Sequence, residues 1–145
     1  MAIWQYPLRV VPEYRIRSYA YAGIINANIL EDINCLESEY INPSYLGKIL
    51  PQGKSWSNDI IIFGEEDSNC IEIISCSNTT NEINIRIDLR SSHTEIIENV
   101  CLFTKEIECV FINYAFNIVK PDVTTILEDI DRFPYFKNFF NKIKP

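Results

Sequence analysis

The sequence predicts an α+β domain: an antiparallel β-sheet, a three-stranded meander plus further strands, with helices packed on one face. Three observations lead there. Between residues 59 and 90 three apolar segments are joined by polar loops of about five residues, the spacing of hairpin-connected strands. In the third segment Ile83, Ile85, Ile87 and Leu89 alternate with Glu82, Asn84, Arg86 and Asp88, the two-residue period of a sheet with one buried face. Downstream, Ile96, Ile97, Val100, Cys101 and Ile107 form an apolar helical stripe able to cover that face.

In chain order, Glu13–Ala22 reads as a strand, because Tyr14 and Ile16 alternate with Arg15 and Arg17. Whether residues 1–11 add an edge strand is left open by their pattern. Asp32, Ile33, Leu36 and Tyr40 allow a short helix, and Pro43 and Gly47 interrupt a longer one. The turn-rich segment Leu50–Ser57 leads into the meander strands Asp59–Phe63, Cys70–Cys76 and Glu82–Arg90. Ser92-His93-Thr94-Glu95 fits a capping box opening the next helix. Cys109–Tyr114 is a further strand, rich in β-formers. Pro121-Asp122 starts a helix in which Val123, Ile126, Leu127 and Ile130 share a face. Phe133, Phe136, Phe139, Phe140 and Ile143 form an aromatic cluster expected to dock on the body of the domain.

The 145 residues suit one domain spanning positions 1–145, and 47% apolar with 23% charged residues is ordinary globular composition. No run approaches the ~20 apolar residues of a membrane helix. Arg9 falls where a signal peptide needs an apolar stretch, so a cytoplasmic location is expected. The net charge is −7, and its distribution is uneven. Residues 59–108 hold eleven acids against Arg86, Arg90 and Lys105, a net of −8, while residues 1–58 balance and residues 109–145 carry +1. Such a field repels nucleic acid and anionic lipid, and it either serves solubility alone, as a net charge of about 2–8 does in a small domain, or attracts a basic protein partner. Neither nucleic acid nor membrane is therefore expected to bind, and oligomeric state is not indicated.

The chemistry of an enzyme is hard to assemble from these residues. Five cysteines (Cys35, Cys70, Cys76, Cys101 and Cys109) and one histidine (His93) give no metal-ligand spacing, so no metal or cofactor is expected. The cysteines read as idle thiols of a reducing compartment, Cys101 as a small buried hydrophobe. His93 falls in the first turn of a helix with no nucleophile brought to it. Gly53-Lys54-Ser55 resembles the end of a phosphate-binding loop, but its earlier glycine is missing and a strand follows. Glu65-Glu66-Asp67 is the densest carboxylate cluster and reads as a hairpin tip. Trp56, in a polar context at the mouth of the meander, is a candidate anchor or a cap over the core.

Leu50-Pro51-Gln52-Gly53-Lys54-Ser55-Trp56-Ser57, then Phe63-Gly64-Glu65-Glu66-Asp67-Ser68-Asn69 and Ile85-Arg86-Ile87-Asp88, form a distinctive set. It resembles an uncharacterised family of short bacterial proteins with a P-x-G-x-S-W-S entry, a glycine and acidic loop, and an R-x-D strand. Where that family carries a glycine near the loop's end, this chain has Asn69. The resemblance covers about 40 residues. It implies a cytoplasmic bacterial protein and no catalytic residue. By size and charge the chain is also similar to immunity proteins, which neutralise toxins. The expected function is thus a non-enzymatic protein-binding module, an immunity-type inhibitor of a basic toxin domain. Its partner-binding surface would be Trp56, Asp59, Glu65, Glu66, Asp67, Glu72, Glu82 and Asp88. The alternative is a small-ligand or regulatory domain with a pocket between the sheet and the Phe133–Phe140 segment.

Overall fold

The structure, a computed structural model, describes residues 2–20, 26, 28, 30 and 33–134. Strands β1 (Gln5–Pro12), β2 (Cys35–Glu37), β3 (Ile60–Gly64), β4 (Cys70–Ser75), β5 (Thr80–Asp88), β6 (Cys109–Ile112) and β7 (Ile118–Val119) form one sheet. Its order is β3-β4-β5-β1-β6-β7, and every described neighbouring pair is antiparallel. β5 is long enough to serve two partners on one side. Its Ile83–Asp88 half pairs with β1, and Thr80–Glu82 pairs with β2. Helices are α1 (Glu13–Ala20), α2 (Pro43–Ile49), α3 (Thr94–Glu106) and α4 (Val123–Arg132).

The meander and the α+β class stand as the sequence predicts. Ile83, Ile85 and Ile87 of β5 share a buried cluster with Ile71 and Ile73 of β4 and Tyr6, Leu8 and Val10 of β1. Ile97, Val100 and Phe103 of α3, Leu46 of α2 and Ile126 and Ile130 of α4 cover that face. Each fully buried aliphatic side chain contributes about 1.5–3 kcal/mol, so this layer is the main stabilising term. On the opposite face Ile16, Leu30 and Ile33 cover Val11, Val110 and Ile112, and Ile60, Ile62 and Cys70 form a smaller cluster.

Several local expectations need correction. Glu13–Ala20 is helix, not strand; positions 21 and 22 lie outside the described residues. Only Ile16 of the alternating set Tyr14–Arg17 is buried, so the apolar-basic alternation never faces a sheet. Residues 5–12, by contrast, form the strand between β5 and β6, well inside the sheet. Ile33 is helical, Asp32 lies outside the described residues, and Leu36 lies in β2 and Tyr40 in a single 3₁₀ turn, so no helix continues from Ile33 to Tyr40; a separate helix, α2, follows and runs through Gly47. Pro43 occupies the first turn of α2, where its missing N–H costs nothing, and the Asn42 side chain accepts from the Ser44 amide at 3.0 Å. The Ser92 capping box does not form: His93 is the N-cap of α3, with no side-chain cap bond. Asp122 does cap α4, accepting from the Thr125 amide at 3.0 Å.

The cysteine expectation also changes. Cys35 and Cys76 form a disulfide, whereas Cys70, Cys101 and Cys109 are free and buried. The two partners are 41 positions apart, and only the pairing of β2 on β5 beside β4 brings them together. No sequence spacing announces such a pair.

Candidate functional site

The described residue set converges most densely on the loop between β3 and β4. Gly64 starts it with φ +88°, and a Cβ there would lie 2.1 Å from the Asn69 carbonyl oxygen. That requires glycine. The entry segment Pro51–Gly53 runs along the free edge of β3: Gly64 N–H donates to Pro51 O at 2.7 Å, and Gly53 N–H to Ile62 O at 2.8 Å. A Cβ on Gly53 would lie 2.6 Å from the Gly64 carbonyl oxygen, so the two glycines permit one close approach.

Three successive loop carbonyls are taken up from behind. The Gln5 amide, fully buried, donates to Glu66 O at 2.8 Å and to Ser68 O at 2.7 Å. Trp4 Nε1 donates to Asp67 O at 2.7 Å, and Arg90 Nη2 to the same oxygen at 3.1 Å. Arg86 Nη1 donates to Glu66 O at 3.3 Å. The Arg90 guanidinium stacks 4.2 Å from the centre of the Trp4 ring, a cation–π contact that holds both donors.

Asp88 ties the loop to β5. Its amide donates to Asn69 Oδ1 at 2.8 Å, and its carboxylate accepts from Ser68 Oγ at 3.0 Å and from Arg90 Nε and Nη2 at 3.0 and 2.9 Å. Burial pushes the Asp88 carboxyl up, but the hydrogen bonds from Arg90 and Ser68 outweigh it and hold it below the ordinary carboxylate value. Asn69 adopts no left-handed backbone, and its amide oxygen fills a role that a glycine cannot. With the backbone anchored behind, Glu65, Glu66 and Asp67 are exposed at the tip, none with a described lysine or arginine within 4 Å.

The other residues expected on the binding surface lie elsewhere or are already paired. Glu72 is ion-paired with Arg86 and mostly covered. Glu82 meets Arg9 at 3.7 Å and accepts from Asn34 and Asn84 at 3.0 Å each. Asp88 is buried as described. Glu72, Glu82 and Asp88 are therefore removed from the candidate surface. The reason is cross-strand geometry: Glu72 opposes Asn84 and Glu82 lies next to it in register, which places Arg86 and Arg9 diagonally across. Trp56 is 74% exposed, so it is no cap over the core, and Asp59 is exposed too. Both stand at the start of β3, whereas the tip follows its end. The six steps from Asp59 to Glu65 span about 20 Å. Trp56 and Asp59 thus do not share the tip's patch. Trp4, Gln5 and Arg90, which fix the loop, carried no signal that sequence reading isolates; Arg86 and Asp88 did, as the R-x-D pair.

A second chemical cluster is sealed inside. Tyr6 OH donates to Asp129, and Asn113 Nδ2 donates to both Asp129 oxygens at 3.0 and 3.1 Å. Tyr6 is fully buried and Asp129 nearly so, and burial, then the Asp129 bond, raises the phenol far above its ordinary value. It joins β1, the residue after β6, and α4. Phe133 packs edge-on to Tyr6 at 5.5 Å between centroids and against Tyr114 at 4.9 Å. Phe136, Phe139, Phe140 and Ile143 lie outside the described residues, and with them the far wall of the pocket considered beside that segment.

No family model, curated protein or solved structure matches the chain at significance.

Proposed function

We propose that the protein is a binding module for a basic protein partner, of the kind an immunity-type inhibitor needs to neutralise a basic toxin domain. The observation supporting this is the β3–β4 tip: five hydrogen bonds from four side chains fix its backbone, and Glu65, Glu66 and Asp67 are exposed with no ion pair among the described residues. A loop ordered before binding loses little entropy on association, and three adjacent carboxylates steer an approaching cation-rich surface. The tip is the centre of the surface, and contacts around it would complete a standard interface of about 800 Å² per partner.

The test is co-purification with the product of the neighbouring gene, followed by association kinetics at low salt. Replacing Glu65, Glu66 and Asp67 together by Ala should slow association about tenfold or more and flatten its salt dependence, with a smaller change in dissociation. Unchanged association would remove the tip from the reading. The cytoplasmic location expected from the sequence belongs to the same proposal, and the Cys35–Cys76 pair tests it. Protein alkylated directly in cells should carry both as thiols in a reducing compartment, and a bridged pair there would point to an oxidising one.

A further inference from the structure

We propose that a second site, a cleft between β2, the start of α1 and the end of α3, takes the side chain of one lysine or arginine from a protein partner. Its floor is Pro12, Leu36, Ile107 and Cys109, of which Leu36 and Cys109 belong to the main core and cannot shift independently of it. Its walls are Tyr14 and Tyr40, exposed by 64% and 56%. Glu37 and Glu108 stand at its rim. The space is about 110 Å³. Ligand pockets run to roughly 300–1,000 Å³, whereas a water occupies about 30 Å³, so this cleft holds three or four heavy-atom groups. That is the end of one long side chain.

The charge selects which side chain. No described lysine or arginine lies within ion-pairing distance of Glu37, Glu39 or Glu108. Glu37 and Glu39 lie side by side instead: a hydrogen bond that the protonated Glu39 carboxyl donates to Glu37, then the Glu37 charge, raises the Glu39 carboxyl. A cation arriving from outside relieves that repulsion, and the tyrosines offer rings to its stem and charge. Arg15 is the internal cation nearby, and it is engaged: Nε donates to Tyr14 OH at 3.0 Å and Nη1 to Cys35 O at 2.5 Å. It steadies the Tyr14 wall.

The rim is pre-set by the backbone. Glu108 adopts φ +54°, an uncommon conformation for a non-glycine residue, and its carbonyl accepts from the Glu13 amide at 3.1 Å. The segment Leu36–Tyr40 is fastened to the β4–β5 turn by the pairing of β2 on β5 and by Ser38 N–H donating to Thr79 O at 2.8 Å, contacts that hold with the Cys35–Cys76 pair bridged or reduced. Beside the cleft, Ser38, Asn78 and Thr80 line an open groove of about 490 Å³ that shares Glu37, with hydroxyls and an amide for a peptide backbone. The site stands apart from the Glu65–Asp67 tip. It flanks Thr80 while the tip flanks Asp88, and eight residues of β5 separate them by about 27 Å.

The probe is the blocked tripeptide acetyl-Gly-Lys-Gly-amide, titrated into the full chain with backbone amide NMR as readout, alongside its arginine and norleucine counterparts. Saturable shifts are expected at Leu36, Glu37, Tyr40 and Glu108 with the lysine or arginine peptide. They should weaken about fivefold in a Glu37→Gln/Glu108→Gln variant, and likewise in Tyr40→Ala. The triple alanine variant of Glu65, Glu66 and Asp67 should bind these peptides as before, which separates this site from the tip. Equal binding of the norleucine peptide, shifts scattered away from the cleft, or no saturation in the millimolar range would each overturn the proposal.

Discussion

At Gly64 one hydrogen atom in place of a methyl group decides the shape of the tip. The backbone is left-handed there, and Asn69 O leaves no room for a Cβ. Gly64→Ala should cost at least about 2 kcal/mol in urea unfolding, through conformational strain and displacement of the loop. The glycine and acidic run between two strands made this turn legible in the sequence. Asn69 was not legible, because its side-chain oxygen acts on an amide nineteen positions away. Asp88 belongs to the same scale. Its carboxyl is held below the ordinary value in the folded protein, so it contributes stability above about pH 4 that is lost as pH falls through its folded value. Asp88→Asn should lower stability at neutral pH and remove part of its acid dependence. An unchanged profile of urea midpoint against pH would refute this.

Elements were legible where their own period was complete. β5 alternates from Glu82 to Ile87, and α4 carries a cap and an i, i+3, i+4, i+7 stripe, so both follow from local pattern. α1 misleads because only Ile16 is buried among its described side chains at 13–17, too little to distinguish the helical period from the strand period. β1 was ambiguous because a strand with two partners and both faces covered does not alternate cleanly. The disulfide lies beyond local pattern altogether. It separates the cysteines into two chemical classes. Burial pushes the Cys101 and Cys109 thiols up to about 12, and raises that of Cys70. Native protein should therefore take up almost no thiol reagent without denaturant, and two equivalents rapidly after mild reduction. Opening the Cys35–Cys76 bridge should cost about 2–4 kcal/mol in stability.

Across the whole molecule the acidic excess of residues 59–108 divides into two populations, and composition could not tell them apart. Glu72, Glu82 and Asp88 pair with the chain's own arginines, while Glu65, Glu66 and Asp67 are exposed and form no ion pair among the described residues. Conservative substitutions should separate them. Glu72→Gln should reduce stability by leaving Arg86 half-covered without its partner, with no effect on association. Glu66→Gln should leave the urea midpoint within about 0.5 kcal/mol and slow partner association. A Glu72 variant that associates slowly at full stability would return that residue to the binding surface.

The interior position of β1 governs the order in which the sheet can be completed. Gln5 opposes Asp88 and Pro12 opposes Cys109, so this strand finds its partners only after about another hundred residues have been synthesised. The hairpins β3–β4 and β4–β5 close over short loops and can form early, but the halves of the sheet join only when this segment threads between them. Until then the apolar edges of β5 and β6 are open to any passing strand, and the growing chain is most vulnerable to aggregation in that interval.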